Sequence, residues 1–303
     1  LIDIFEQIRY ILDMIIDSHV HLFSQKIVRN VSRKRGMVKQ LHLQTEGAQE
    51  RTGIETLKKR MSAAGIHACL LLPTSAAEGV TEANDRSRKR AGEITGLWTA
   101  GTLHPRYADN AGEIRRLKDR GTRGIKLCSF SQGFALDAPE TTALFDLLQQ
   151  ENRDNGNPFF VVLDTFYDAH RFFGTNPKYT TTPRRLGRLV SQFPGIPFIA
   201  AHMAGLCAPF EEICASLPPA KNLFLDTSNA AHTLRKAEFI HLLKTHGAEH
   251  IVFGTDWPWF DPVSEIPLIT GFLDEAGFSQ KEKGAVLGCN MARLMGIPLH
   301  FPT

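Results

Sequence analysis

His19 and His21 stand two residues apart in the run Ile15-Ile16-Asp17-Ser18-His19-Val20-His21. At a strand end that spacing turns both imidazoles to one side, where two neutral ring nitrogens can ligate one divalent ion. Spacing alone decides little, because 12 histidines in 303 residues yield about half of one such pair by chance. Context adds weight: polar residues close several other apolar runs, namely Lys126 and Cys128 in GIKLCS, Asp164 in FFVVLD, His202 in FIAAH and Asp256 in IVFGTD. Imidazoles and carboxylates at strand ends are the parts of a metal-assisted or acid/base site. Lys126 would bind a substrate carboxylate or polarise a carbonyl there, or else pair with Asp164 or Asp256. Cys128 reads as small packing material.

These residues need a scaffold that brings strand ends to one mouth. Eight strand-like runs are present: 14–19, 67–73, 97–103, 124–129, 159–165, 198–202, 223–227 and 251–256. Helix-period stretches at 55–64, 111–120, 141–151, 184–193 and 234–245 lie between them. Near-continuous apolar strands, each followed by a crossover helix, imply a parallel sheet covered on both faces. Eight such units fit a closed barrel, and no GxGxxG follows an early strand to favour an open dinucleotide-binding sheet. The expected fold is α/β, a (β/α)8 TIM barrel with a long first βα loop and an extra C-terminal helix. One domain is expected over 1–303, the barrel at about 14–275 and the last helix at about 280–296.

Composition narrows the partners. Hydrophobic residues make up 43% and charged residues 22%, an ordinary globular balance. A net charge of +3 is too slight for a dedicated nucleic-acid surface. No apolar run reaches the roughly 18 residues of a membrane span. The first segment, LIDIFEQIRYILDMIID, is amphipathic and lacks a small-residue cleavage site, so no signal peptide is expected. Five cysteines without CxxC spacing suit a reducing compartment, so cytoplasm is the expected location.

Across nearly its whole length, the chain resembles the amidohydrolase superfamily, in the branch that includes aminocarboxymuconate semialdehyde decarboxylase. The matching pieces, in the family's order, are IIDSHVHLF, GIKLCSFSQGF, FIAAHMAG, IVFGTDWPW and GCNMARLMGI. The resemblance implies a divalent ion, usually zinc, held by His19, His21 and Asp256, with His202 beside the attacking water or the substrate; a carboxylate ligand at Asp164 would shift the preference toward manganese. It implies an ordinary lysine at 126. Lactonases of this branch act without a metal, which leaves metal-free action open. The departure lies on the fifth strand, where the family's PVxxH pattern puts a metal-binding histidine. Here Val162 takes that place, and Asp164, two residues on and facing the same way, offers a carboxylate as ligand or as partner of Lys126. His170, in FYDAH beyond the strand, is a substitute ligand or substrate contact.

Two long segments frame the expected site. Residues 23–53 carry Arg29, Arg33, Lys34, Arg35 and Lys39, a solvated face or a basic lid favouring an anionic substrate. Residues 166–183 are aromatic, and Phe166 and Tyr167 would line the substrate pocket. The expected function is metal-dependent hydrolysis of a small amide, ester or lactone, with Asp256 as proton carrier and His202 stabilising the developing oxyanion. The alternative is non-oxidative decarboxylation of an unsaturated or aromatic carboxylic acid. A second alternative, motivated by the missing histidine, is a non-catalytic binding protein. The expected partner is a small molecule, with a homodimer allowed.

Overall fold

The computed structural model describes residues 14–298 apart from 154, 155 and 157; most of the N-terminal amphipathic segment lies outside the described residues. All eight expected strand regions form strands. They are β1 (Ile16–Val20), β2 (Ala68–Leu71), β3 (Leu97–Thr99), β4 (Gly101–Thr102), β5 (Gly124–Leu127), β6 (Phe160–Leu163), β7 (Phe198–Ala200), β8 (Leu223–Asp226) and β9 (Ile251–Val252). The third expected strand is split at Ala100, whose carbonyl accepts the Thr99 hydroxyl at 2.8 Å. The expected fifth strand is therefore β6. Most strands are buried at every position, as two-sided cover of a parallel sheet requires.

The longer helices are α1 (Gln25–Ser32), α2 (Arg35–Gln40), α3 (Ile54–Ala63), α4 (Val80–Ala91), α5 (Asn110–Asp119), α6 (Pro139–Arg153), α7 (Pro183–Gln192), α8 (Lys236–His246) and α9 (Pro262–Ala276); α3, α5, α6, α7 and α8 lie within two residues of the five expected helix-period stretches, whereas α4 and α9 lie outside them. The first two were not expected as helices, since the segment reads as loop. The Ser24 hydroxyl caps α1 by accepting from the Ile27 N–H, and Val28 and Met37 anchor α1 and α2. The C-terminal helical run is continuous from Gln280 to Met295, with a π-helical turn at Ala285–Cys289.

The described chain divides into two compact units. One comprises residues 14–71, 94–98 and 226–298. In it β1 pairs parallel with β2, Ile16 opposite Ala68 and Asp17 opposite Cys69. On its other side β1 is held by the chain leaving β9: Ser18 N donates to Phe253 O at 2.9 Å, His21 N to Trp257 O at 2.8 Å, and Val20 bridges to Trp257. Gly254 lies in this seam, where a Cβ would fall 2.9 Å from His19 Cβ. Gly288 allows the C-terminal run to meet the start of β1, for a Cβ there would lie 2.0 Å from Met14 O. The second unit, 72–93 and 99–225, carries β4 to β7 and residues 223–225 of β8 in parallel register, with Lys126 opposite Val162 and Val162 opposite Ile199.

Candidate active site

In the first unit, β1 alternation puts Asp17, His19 and His21 on one side. Asp17 serves the backbone: it accepts from His19 N and Thr255 N, both at 3.0 Å, and from the Thr255 hydroxyl at 2.5 Å. These bonds fix the β1 end against the Thr255-Asp256 turn. Burial drives the Asp17 carboxyl up to about 7, against the lowering effect of those bonds.

His19 is fully buried, and its Nδ1 lies 2.7 Å from Asp226 Oδ2 and 3.2 Å from the Ser228 hydroxyl. Asp226 is itself bound by Ser228 N at 3.0 Å and by the Ser228 hydroxyl. A carboxylate accepts, so Nδ1 carries the proton and Nε2 keeps its lone pair. That Nε2 lies 3.1 Å from His21 Nε2, and Asp256 Oδ1 is 3.8 Å from the first nitrogen and 3.7 Å from the second. Two nitrogens on one tetrahedral ion at about 2.05 Å would sit about 3.3 Å apart. The three donor atoms therefore fit a divalent cation, and these residues are a group that could hold one. His21 is backed by Phe23, stacked at 4.5 Å, which packs near Trp259 at 6.0 Å. Asp256 has φ 61°, a left-handed conformation that Asp tolerates better than most residues, and its N–H donates to His19 O at 3.0 Å.

Asp226 and Ser228 are missing from the sequence reading. The signal was present, because LFLDTS also ends an apolar run in a carboxylate. The rule that selected Asp164 and Asp256 applies equally to Asp226.

The second unit brings together Lys126, Asp164 and His202. Lys126 on β5 is 1% exposed, and among the described residues its Nζ has no hydrogen-bond partner. Asp164 follows β6, with its Oδ2 3.8 Å from His202 Nε2 and its Oδ1 accepting from Phe166 N at 3.0 Å. Burial disfavours the charged carboxylate, but His202 first and Lys126 next outweigh it and hold the Asp164 pKa far below the usual range. Val162, in the place of the family's histidine, is fully buried. His202, Met203 and Ala204 are consecutive non-glycine residues at φ 56°, 51° and 69°. Such backbone costs of order 1–3 kcal/mol per residue and persists where its surroundings enforce it. Burial raises the Cys128 thiol to about 12, which suits packing and not nucleophilic attack.

The remaining sequence candidates lie beyond β6. Phe166 is buried, edge-on to Phe130 at 6.1 Å and stacked on Phe172 at 5.8 Å. The Tyr167 hydroxyl donates to Glu212 Oε2 at 3.3 Å. His170 lies in a short helix, Ala169–Phe173, and its buried Nδ1 has no hydrogen-bond partner among the described residues.

The amidohydrolase family profile matches residues 16–297. The chain belongs to the amidohydrolase family. No curated protein sequence matches this amidohydrolase. Among solved structures it is similar to a TIM-barrel protein of Bordetella bronchiseptica, with TM-score 0.71, 18% identity, and 93% of this chain and 98% of the other covered. It is also similar to 5-carboxyvanillate decarboxylase of Sphingomonas paucimobilis, with TM-score 0.63, 18% identity, and coverage of 94% and 99%. A third likeness is to a dihydroxybenzoic acid decarboxylase of Polaromonas with bound manganese and the inhibitor 2-nitroresorcinol, with TM-score 0.66, 19% identity, and coverage of 94% and 97%. At these identities the likeness establishes the fold, an α/β TIM barrel, as the strand and helix order implies. Among the described residues, no helix of this amidohydrolase is long and apolar enough to cross a membrane.

Proposed function

We propose that this amidohydrolase is a divalent-metal-dependent, non-oxidative decarboxylase of a small aromatic carboxylic acid. The observation that carries the metal dependence is the convergence of His19 Nε2, His21 Nε2 and Asp256 Oδ1. The reaction class is supported by the likeness to 5-carboxyvanillate and dihydroxybenzoic acid decarboxylases, which favours the carboxy-lyase alternative over hydrolysis. Manganese and zinc both suit two imidazoles and one carboxylate, and the Polaromonas enzyme's manganese puts that ion first.

When bound, the ion would supply Lewis-acid stabilisation of anionic substrate oxygens. The chain's own residues do the rest. Asp226 holds the His19 tautomer with Nε2 unprotonated, and Phe23 fixes the His21 ring. Asp256 delivers a proton from its carboxyl to the ring carbon that bears the carboxylate. The C–C bond to the carboxylate then breaks, its electron pair restores the aromatic ring, CO2 leaves, and Asp256 is reprotonated from solvent. Only one proton is consumed and no redox partner is needed.

His202 and Lys126 take their proposed roles from their own surroundings. A buried ammonium without a hydrogen-bond partner calls for an acceptor oxygen, so Lys126 is a substrate contact. The enforced left-handed turn holds His202 against Asp164 as an orienting group. Asp164, beside the His202 ring and under the charge of Lys126, acts as the partner of those two side chains in place of a metal ligand. Phe166, Tyr167 and His170 remain candidates for the aromatic substrate's surroundings.

The test is CO2 release from 2,6-dihydroxybenzoate, 5-carboxyvanillate and related acids by manganese- or zinc-loaded protein, run beside a panel of amides, esters and lactones. CO2 release abolished by chelation and restored by the ion supports the reading. Hydrolysis of a lactone or amide without CO2 release from any acid rejects it.

A further inference from the structure

No Asp or Glu occurs between Asp17 and Glu46, whereas Lys26, Arg29, Arg33, Lys34, Arg35 and Lys39 all fall there. Six positive charges in this short segment exceed the chain's net +3, so the rest of the protein is net negative. Lys26, Arg29, Arg33, Arg35 and Lys39 are exposed, and among the described residues none of these five forms an ion pair. Three exposed cations elsewhere, by contrast, are matched with acids, in Arg86–Glu82, Arg120–Asp85 and Lys236–Glu275. At i, i+3 and i+7, Lys26, Arg29 and Arg33 share one face of α1, roughly opposite the buried Val28.

This uncompensated surface begins at the site. Lys26 is five residues past His21, and five residues span at most roughly 18 Å. The link is ordered by the His21–Phe23 stack and the Ser24 cap. Arg51 and Arg60 extend the positive field of the same unit, since both act on the single carboxylate of Asp261, five residues past Asp256. The Arg51 Nε is buried and has no hydrogen-bond partner among the described residues.

We propose that the basic hairpin of α1 and α2 is a collecting surface for a small carboxylate, steering it to the His19–His21–Asp256 end of β1. The inference rests on the proposed function only for the choice of a carboxylate as ligand. Fields of this kind raise association rates by about 10-fold to 1,000-fold when the charges are weakly screened. At 0.01 M salt the Debye length, ~30 Å, exceeds the reach of the hairpin; at 0.15 M, ~8 Å, it does not.

The experiment measures association of 2,6-dihydroxybenzoate and of its neutral amide with the full-length, manganese-loaded protein, by stopped-flow quenching of Trp259 fluorescence. Wild type is compared with the triple variant Lys26→Glu, Arg29→Glu, Arg33→Glu at both salt concentrations. For the acid at 0.01 M, the variant should associate at least tenfold more slowly. The gap should close at 0.15 M, with the amide unaffected and kcat unchanged. A triple Gln variant, which keeps the helix while only neutralising it, should show a smaller loss of the same kind. Equal rates for wild type and both variants would overturn the proposal, as would equal loss for acid and amide. Unchanged acid association with lost binding to phosphatidylserine vesicles would also overturn it, assigning the surface to a membrane. Association is read without turnover, so steered binding without CO2 release sinks the decarboxylase reading and leaves this one standing; CO2 release with unsteered binding does the reverse.

Discussion

Asp226→Asn tests the part of the site that the residue spacing does not reveal. Asp226 and His19 are both fully buried and their contact is 2.7 Å, a charge-assisted hydrogen bond. Hydrogen bonds to charged groups contribute about 1.5–3 kcal/mol. Asparagine preserves shape but can turn its amide N–H toward Nδ1, which then serves as acceptor and shifts the His19 proton to Nε2. That proton blocks the lone pair 3.1 Å from His21 Nε2. Loss of a carboxylate behind a ligating histidine weakens metal affinity by about 10-fold to 100-fold, or about 1.4–2.7 kcal/mol, consistent with the value of the bond itself. The assay is manganese or zinc titration against a competing chelator dye, with thermal unfolding of the metal-free protein in parallel. The expected result is a 10-fold to 100-fold rise in Kd with CO2 release falling at subsaturating metal. Wild-type affinity in Asp226→Asn would refute the argument that Asp226 sets the tautomer. A fall in affinity matched by global unfolding would show a structural role only. Ser228→Ala, which removes one donor to Asp226, should weaken binding less.

Further outcomes follow from the same geometry. Asp256→Asn should keep the fold and abolish CO2 release even when metal content is restored by excess ion, because an amide does not carry the proton; retained turnover at full metal occupancy contradicts the assignment. Asp164→Ala should leave metal stoichiometry unchanged and lower stability, since it removes the carboxylate whose charge offsets that of buried Lys126, and Lys126→Met added to it should recover part of the loss in denaturant unfolding. A drop in metal affinity for Asp164→Ala would restore the ligand reading. His246 is buried, and burial lowers its pKa from 6.5 to about 4. A depressed folded pKa means that its contribution is intact above the unfolded value and is lost as pH falls from about 6.5 through 4, about 3 kcal/mol in all. His246→Leu should therefore unfold less steeply with acid than wild type over that window, and parallel stability curves would exclude this cause.

The strands were legible because a parallel sheet buried on both faces leaves unbroken apolar runs, and the same strand ends display His19, His21, Asp164, His202 and Asp256. Helices covering such a sheet show equally clear periodicity. Less legible was whatever depends on partners distant in sequence. The split of the third strand at Ala100 leaves no mark in its apolar run, and α1 and α2 rest on only two buried apolar anchors, Val28 and Met37. The left-handed turn at 202–204 uses no glycine at those positions, so no residue type announces it. Strand spacing left Asp164 open between ion ligation and pairing with Lys126. Its place beside His202 and the charge of Lys126 is the ground for the proposed second reading, which the metal titration of Asp164→Ala decides. Asp226 was readable by the strand-end rule, but its role was not, because that depends on the register that sets it against His19.

The most direct test of the metal centre is ion stoichiometry in the wild type and in His19→Ala combined with His21→Ala. Protein loaded with manganese and freed of excess ion is analysed for metal content, circular dichroism and CO2 release from the best acid of the panel. Wild type should hold one ion per chain and release CO2, and the double variant should keep its fold, lose the ion and lose activity together. A folded double variant that retains both the ion and the activity would contradict the assignment of His19, His21 and Asp256 as the catalytic metal site.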